Sequence, residues 1–288
     1  MAWWQRSKSG TPVVEPPSEA ALAGAAEEIT QAGAIEGKSE KELEVEPETK
    51  PESKPVDNKP QTQLSKEPIL VVSGVEQTFQ VGGQPLHVLK GINMQLDQNR
   101  LIMLRGRSGS GKTTLLNLIG GLDQPTKGEI WFNGLPIHKL SDNKRTIIRR
   151  RDMGFIFQAY ALMPLLSAYE NVELSLRMAK VPRGEWKSRV TEVMEMVGLG
   201  KRMHHRPFEM SGGEQQRVAI AKAIAHRPRV LLADEPTAEL DSQMSAQIIA
   251  VFRNIIQTES VTICMTTHDP TILEVADHVY EMVDGKFV

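Results

Sequence analysis

Residues 101–113 read Leu-Ile-Met-Leu-Arg-Gly-Arg-Ser-Gly-Ser-Gly-Lys-Thr, four apolar residues followed closely by three glycines within six positions. The apolar run, 101–104, is too short for an independent helix and reads as a buried strand. The segment Gly106-Arg107-Ser108-Gly109-Ser110-Gly111-Lys112-Thr113 fits G-x-x-x-x-G-K-[ST], and a helical pattern follows at 113–119. Strand, glycine-rich loop and helix in that order form the context of a phosphate-binding P-loop. Its glycines let backbone N–H groups curl around an anion, and the helix start adds positive partial charge. Lys112 is expected to reach the β and γ phosphates of a nucleoside triphosphate, and the Thr113 hydroxyl to ligate Mg²⁺. Thr114 completes the expected binding set.

Outward from this stretch, strand and helix alternate. Short, apolar, β-rich runs at 69–72, 92–96, 155–157, 230–233, 261–265 and 279–283 predict strands. Helical patterns fall at 172–178, 185–197, 214–226 and 242–257. The alternation predicts an α/β domain with a largely parallel sheet. No internal repeat of about 20–50 residues is present. The sequence stops five residues after the last predicted strand, so no C-terminal accessory domain is expected.

The 288 residues carry 34 Lys+Arg against 36 Asp+Glu and one cysteine. Near-neutrality gives no general attraction for nucleic acid or an anionic membrane. One cysteine excludes an intrachain disulfide scaffold. No stretch approaches the roughly 18 apolar residues of a membrane-spanning helix, and the start, Met1-Ala2-Trp3-Trp4-Gln5-Arg6, lacks a signal-peptide core. A soluble intracellular protein is expected. Residues 1–67 hold 13 acidic and 8 basic side chains with seven prolines. Residues 36–67 are nearly free of large apolar groups, so residues 1–67 are expected to be a disordered extension. Residues 20–35 could form a transient helix, and Trp3 and Trp4 read as part of an unconstrained terminus or as a membrane or partner contact.

Two further elements carry chemistry. Val230-Leu231-Leu232-Ala233-Asp234-Glu235 is an apolar strand ending in two carboxylates. Asp234 suits a place near Mg²⁺, and Glu235 could orient and polarise an attacking water; the plain alternative is a pair of solvated acids. Met210-Ser211-Gly212-Gly213-Glu214-Gln215-Gln216-Arg217 opens a long helix with adjacent glycines, a second anion-accepting helix start. One ATP needs only one such turn. The economical arrangement is a dimer, each ATP lying between one chain's P-loop and the other's Ser211 turn.

With these motifs, the sequence resembles the nucleotide-binding subunit of ATP-binding cassette (ABC) transporters from about residue 68 to 288. Gln158 in Gly154-Phe155-Ile156-Phe157-Gln158 matches the family's Q-loop. Ala238-Glu239-Leu240-Asp241 matches its D-loop, and His268 in Thr266-Thr267-His268-Asp269 its switch histidine. The resemblance implies an α/β P-loop NTPase with a RecA-like mixed and parallel core sheet. It also implies an antiparallel β-subdomain and a small helical subdomain at about 160–227. Gln158 would complete the Mg²⁺ shell, His268 would hydrogen-bond the γ-phosphate, and Asp241 would bridge two subunits. Ser211 and Gly213, with Gly212 between them, would bind ATP held by the opposing chain. Phe79 sits where the family stacks an aromatic on adenine, with a buried core phenylalanine as the alternative. Met210 and Glu239 depart from the family's usual residues without removing a functional group.

The detail of residues 157–172 and 210–221 is most similar to the macrolide-export and lipoprotein-release group. That likeness implies ATP hydrolysis at the cytoplasmic face of the plasma membrane, coupled to an integral membrane permease and, for some members, a periplasmic or extracellular adaptor. The apolar side chains after Gln158 suggest a groove for a short helix of the partner, although Leu162, Leu165 and Leu166 could pack internally. Two other readings are open. A soluble ABC ATPase of ribosomes or DNA needs two cassettes or long coiled coils, neither of which is present. An ATPase could instead signal through a membrane protein to cell-wall enzymes without transport. Lys144, Arg145, Arg149, Arg150 and Arg151 read as a solvated helix face rather than a nucleic-acid patch. Cys264 reads as an inert buried residue.

Overall fold

In the structure, a computed structural model, residues 67–288 are described. The expectations for Trp3, Trp4, 20–35 and 1–66 therefore fall outside the described residues. Two sheets carry the fold. β1 (Leu70–Val81), β2 (Gln84–Leu96), β4 (Lys127–Phe132) and β5 (Leu135–Pro136) pair antiparallel in the order β2-β1-β4-β5. The second sheet contains β3 (Leu101–Arg105), β6 (Met153–Ile156), β7 (Val230–Ala233), β8 (Thr262–Thr267), β9 (His278–Val283) and β10 (Lys286–Phe287). Its order is β10-β9-β3-β8-β7-β6, parallel throughout except for β10. The helices are α1 (Lys112–Ile119), α2 (Asp142–Asp152), α3 (Ala168–Met178), α4 (Trp186–Met196), α5 (Gly212–Ile224) and α6 (Ser242–Glu259).

The centre of the parallel sheet is buried on both faces, which is why β3 and β7 read as unbroken apolar runs, whereas the outer β9 is largely exposed and carries His278, Tyr280 and Glu281. Side-chain alternation divides those runs between two cores. Leu101, Met103, Leu231, Ala233, Ile263 and Met265 pack with α3, α4, α5 and α6. Ile102, Leu104, Val230, Leu232 and Cys264 pack on the opposite side with α1 and the antiparallel sheet. Burying each large aliphatic side chain contributes roughly 1.5–3 kcal/mol, so β3 is held in register from both sides.

The helices α3, α4 and α5 lie between β6 and β7 in the chain. Arg189 of α4, 3% exposed, joins them to the core. Its guanidinium donates to the carbonyls of Ile224 and Ala225 at the end of α5 and makes two bonds to Glu259 at the end of α6. A charge buried so deeply is tolerated because its donors are matched by acceptors.

Several elements exceed what the sequence predicted. β1 and β2 run far past their apolar ends because the Gly82-Gly83 turn continues the backbone pairing among exposed side chains. β4, β5 and β10 were missed. α2 is not simply a solvated face: Arg145 and Arg149 turn inward and donate to the carbonyls of Asp123 and Gly121, just beyond α1. Its basic character thus serves partly to bond backbone carbonyls of the loop that follows α1. Among the described residues, no helix is long and apolar enough to cross a membrane.

Candidate active site

Three neighbouring parallel strands end together. β8 lies between β3 and β7, so the P-loop, Asp234-Glu235 and His268 emerge side by side from the same sheet edge. Ligands of open α/β sheets bind at such carboxyl ends.

The P-loop is braced from below. Gly111 caps α1 with φ 108°, a conformation open to glycine, and a Cβ there would come within 2.8 Å of Leu89. The N–H of Gly285, in the β9–β10 turn, donates to the Ser110 carbonyl at 3.1 Å. The Gly285 carbonyl accepts from Lys90 N–H at 2.9 Å. Any side chain at Gly285 would collide with the Val88 carbonyl. The hairpin at the end of the described chain therefore wedges between β2 and the loop.

One hollow is lined by Ser108, Gly109, Gly111, Lys112, Thr113, Thr114, Gln158, Glu235 and Val88. Gly106, Arg107 and Ser110 do not line it, but the Lys112 ammonium donates to the Gly106 and Arg107 carbonyls at 2.9 and 3.1 Å. Lys112 also lies 3.6 Å from one Glu235 oxygen, while His268 Nδ1 lies 3.4 Å from the other. His268 itself lines an adjoining hollow with Glu235, Thr237, Ser245 and Asp269. Glu235 stands between the two hollows. Its backbone is left-handed, φ 46°, which is unusual for this residue type.

Thr266, fully buried at the end of β8, fixes both acids. Its hydroxyl accepts from Glu235 N–H at 2.7 Å and donates to Asp234 Oδ1 at 2.7 Å. The sequence reading passed over this residue, although a hydroxyl inside an apolar strand, one position before Thr267-His268, was its signal.

The remaining expected residues lie elsewhere. Ser211, Gly212 and Gly213 start α5 and line neither hollow. Ser211 N–H donates to Glu214 at 2.9 Å, and Glu214 N–H donates back to Ser211 Oγ at 3.3 Å. The bond from the Ser211 N–H, with Arg202 and Arg217 nearby, holds the Glu214 carboxyl below the usual range. Gly213 faces Met244 at the start of α6, where a Cβ would overlap the Met244 methyl. Asp241 caps α6, accepting from Met244 N–H at 2.8 Å. Phe79 is exposed opposite Leu86 on β2, so it is not a core residue. Around Gln158, Leu162 packs on the core while Phe157, Met163 and Leu165 stay exposed. Buried Asn171 holds that segment through the Met163, Leu166 and Ser167 carbonyls. Burial pushes the Cys264 thiol up to about 12, consistent with the inert reading.

Thr113 and Gln158 in the hollow, with Asp234 beside it, offer hydroxyl, amide and carboxylate oxygens. Such hard donors fit Mg²⁺, an ion that takes few protein ligands and completes its shell with phosphates and water.

The sequence profile of the ABC transporter family matches residues 89–238. The lipoprotein-releasing system ATP-binding protein LolD of Saccharophagus degradans is 37% identical over 218 residues, spanning 76% of this chain and 96% of that one. The macrolide export ATP-binding/permease protein MacB of Wolinella succinogenes is 40% identical over 77% of this chain, which spans 34% of that longer protein. The dimeric ATP-binding cassette MJ0796, solved in a post-hydrolysis state bound to ADP and Pi, superposes with a TM-score of 0.70 at 36% identity. The match covers 76% of this chain and 96% of that one. The chain belongs to the ABC transporter family and is one of its ATP-binding, ATP-hydrolysing subunits.

Proposed function

We propose that residues 68–288 act as one ATPase domain, two copies of which close around two Mg·ATP to drive a membrane permease of the export or lipoprotein-release type. The observation that carries this reading is the position of Glu235, bracketed by Lys112 and His268 at one sheet edge while the Ser211 turn stands apart. Half of the expected phosphate-binding apparatus is assembled within one chain, and the other half is left for a neighbour.

In that closed state the amides of Gly106–Thr113 and the Lys112 ammonium hold the β and γ phosphates. Phe79 stacks on adenine. Thr113, Gln158 and Asp234 would hold Mg²⁺, which would neutralise charge on the phosphates. Glu235 accepts a hydrogen bond from the attacking water and aligns it, and His268 holds the γ-phosphate. Ser211, Gly212 and Gly213 reach the same phosphate from the opposing copy, and Asp241 spans the seam. Closure excludes bulk water, so each of these charges acts more strongly than in solution.

Supporting the membrane partner are the exposed apolar side chains Phe157, Met163 and Leu165 beside Gln158, a surface suited to an inserted helix. They lie on the helical part, about 160–227, or at its edge. The names of the similar proteins, one a lipoprotein-release subunit and one fused to a permease, favour transport over signalling to cell-wall enzymes. Work at the cytoplasmic face, with an adaptor outside, follows from the same reading. The test is affinity purification of the full chain from detergent-solubilised membranes. Recovery with an integral permease, and Mg²⁺-dependent ATP turnover by the pair, is expected. Recovery with a small membrane protein bound to hydrolases overturns the transport reading.

A further inference from the structure

We infer that Thr266 is a positioning residue for hydrolysis: its buried hydroxyl sets the conformations of Asp234 and Glu235 together. The inference rests on the proposed roles of those two acids. Its geometry is independent of them. A single hydroxyl accepts from the Glu235 N–H and donates to Asp234 Oδ1, both at 2.7 Å, from a residue with no exposed surface. A hydroxyl has one proton, so the two bonds have fixed directions, and neither partner can take the other's place.

Each bond has a distinct consequence. Glu235 adopts a left-handed backbone, which costs a non-glycine residue free energy and persists only where surroundings hold it. The bond from its N–H to Thr266 is such a restraint, and it directs the carboxylate into the gap between Lys112 and His268. On the other side, Thr266 occupies Asp234 Oδ1 and leaves Oδ2 for an ion. Hydrogen bonds to a ligating carboxylate fix its orientation toward a metal. Valine has the shape of threonine without the hydroxyl. Replacing Thr266 by valine therefore frees both acids while preserving the packing between β3 and β7.

The experiment compares Thr266→Val, Thr266→Ser, Thr266→Ala and Glu235→Gln in the full chain. Two readouts are used: ATP turnover against ATP and Mg²⁺ concentration, and the affinity of Mn²⁺ with a non-hydrolysable ATP analogue by electron paramagnetic resonance. Thr266→Val should lower kcat and weaken Mn²⁺ binding, each by about 10–100-fold, with little change in KM for ATP. Thr266→Ser should restore both, and Thr266→Ala should resemble Thr266→Val. Should the valine variant not fold, the serine–alanine pair carries the same contrast, since both lack the methyl and only one keeps the hydroxyl. Wild-type turnover and Mn²⁺ affinity in Thr266→Val, or an equal loss in Thr266→Ser, overturns the inference. Glu235→Gln separates the two levels. If it turns over ATP normally, the reading of the acids fails; if it is inactive while Thr266→Val is normal, only the role of Thr266 fails.

Discussion

Two glycine-rich helix starts dominate this chain, and the fold finishes them differently. At the start of α1 no side chain caps the helix and no acid occupies the first turn. Its leading amides are left to an external anion, with Lys112 beside them. At the start of α5 a capping box is present: Ser211 accepts from the Glu214 N–H, the Glu214 carboxylate accepts from the Ser211 N–H, and an acid therefore stands in the first turn. The first start is braced by buried strands and the β9–β10 turn, whereas Ser211 is exposed. The contrast teaches that a similar local motif can be a complete anion site or an incomplete one. The α1 start leaves its amides open to an anion, and in the proposed closed dimer the Ser211 turn would be completed by the ATP of the opposing copy.

The sharpest way to break that contrast is at the chemistry itself. Glu235→Gln should lower ATP turnover by about 10²–10⁴-fold, the usual range for a general base. It should also trap an ATP-dependent dimer visible by size-exclusion chromatography with light scattering. A variant that remains monomeric with ATP would mean that the two helix starts do not meet across a seam. Lys112→Ala comes next. Truncating one partner of a buried charge pair costs about 2–5 kcal/mol, so ATP affinity should fall at least about 30-fold in an equilibrium titration. Unchanged affinity would remove the distinction between the two starts.

Ser211→Ala sharpens the comparison from the other side. Loss of the cap should destabilise α5 by about 1 kcal/mol. Turnover should decrease, while nucleotide affinity of the single chain stays at the wild-type value. An equal loss of affinity in the monomer would place Ser211 in the same chain's site.

How much of this was legible beforehand follows from where each residue sits. The parallel strands were readable because burial on both faces leaves no polar interruptions, as in 101–104 and 230–233. The P-loop and the Asp234-Glu235 pair stood out because glycine spacing and strand-end acids are local signals, whereas Gln158, His268, Asp241 and Phe79 rested on the family resemblance alone. β4, β5 and β10 lack long apolar runs, and only the two-residue turns betray them. Asn133-Gly134 and Asp284-Gly285 both adopt left-handed backbones, as hairpin turns of this type require. Those dipeptides were a signal that went unused. Thr266 was harder, because its importance lies in bonds to residues about 31 positions away. The inward turn of Arg145 and Arg149 was hidden for the same reason: charge alone does not tell which face of a helix has carbonyls to satisfy.

The smallest expected effect concerns the acid that distinguishes the two helix starts. Glu214 has its carboxyl pKa lowered in the folded chain, chiefly by the Ser211 N–H and further by Arg202 and Arg217. A folded pKa below the unfolded one means that the unfolded chain binds the proton more readily. The contribution of Glu214 to stability is therefore fully present above the ordinary carboxylate range and disappears as pH falls through the folded value. Glu214→Gln should melt below the wild type at pH 7, and the gap should narrow on acidification as the wild type loses this contribution. Differential scanning calorimetry at several pH values checks it. A gap that stays constant with pH would mean that Glu214 stabilises the turn by shape alone, and that its charge does not set α5 apart from α1.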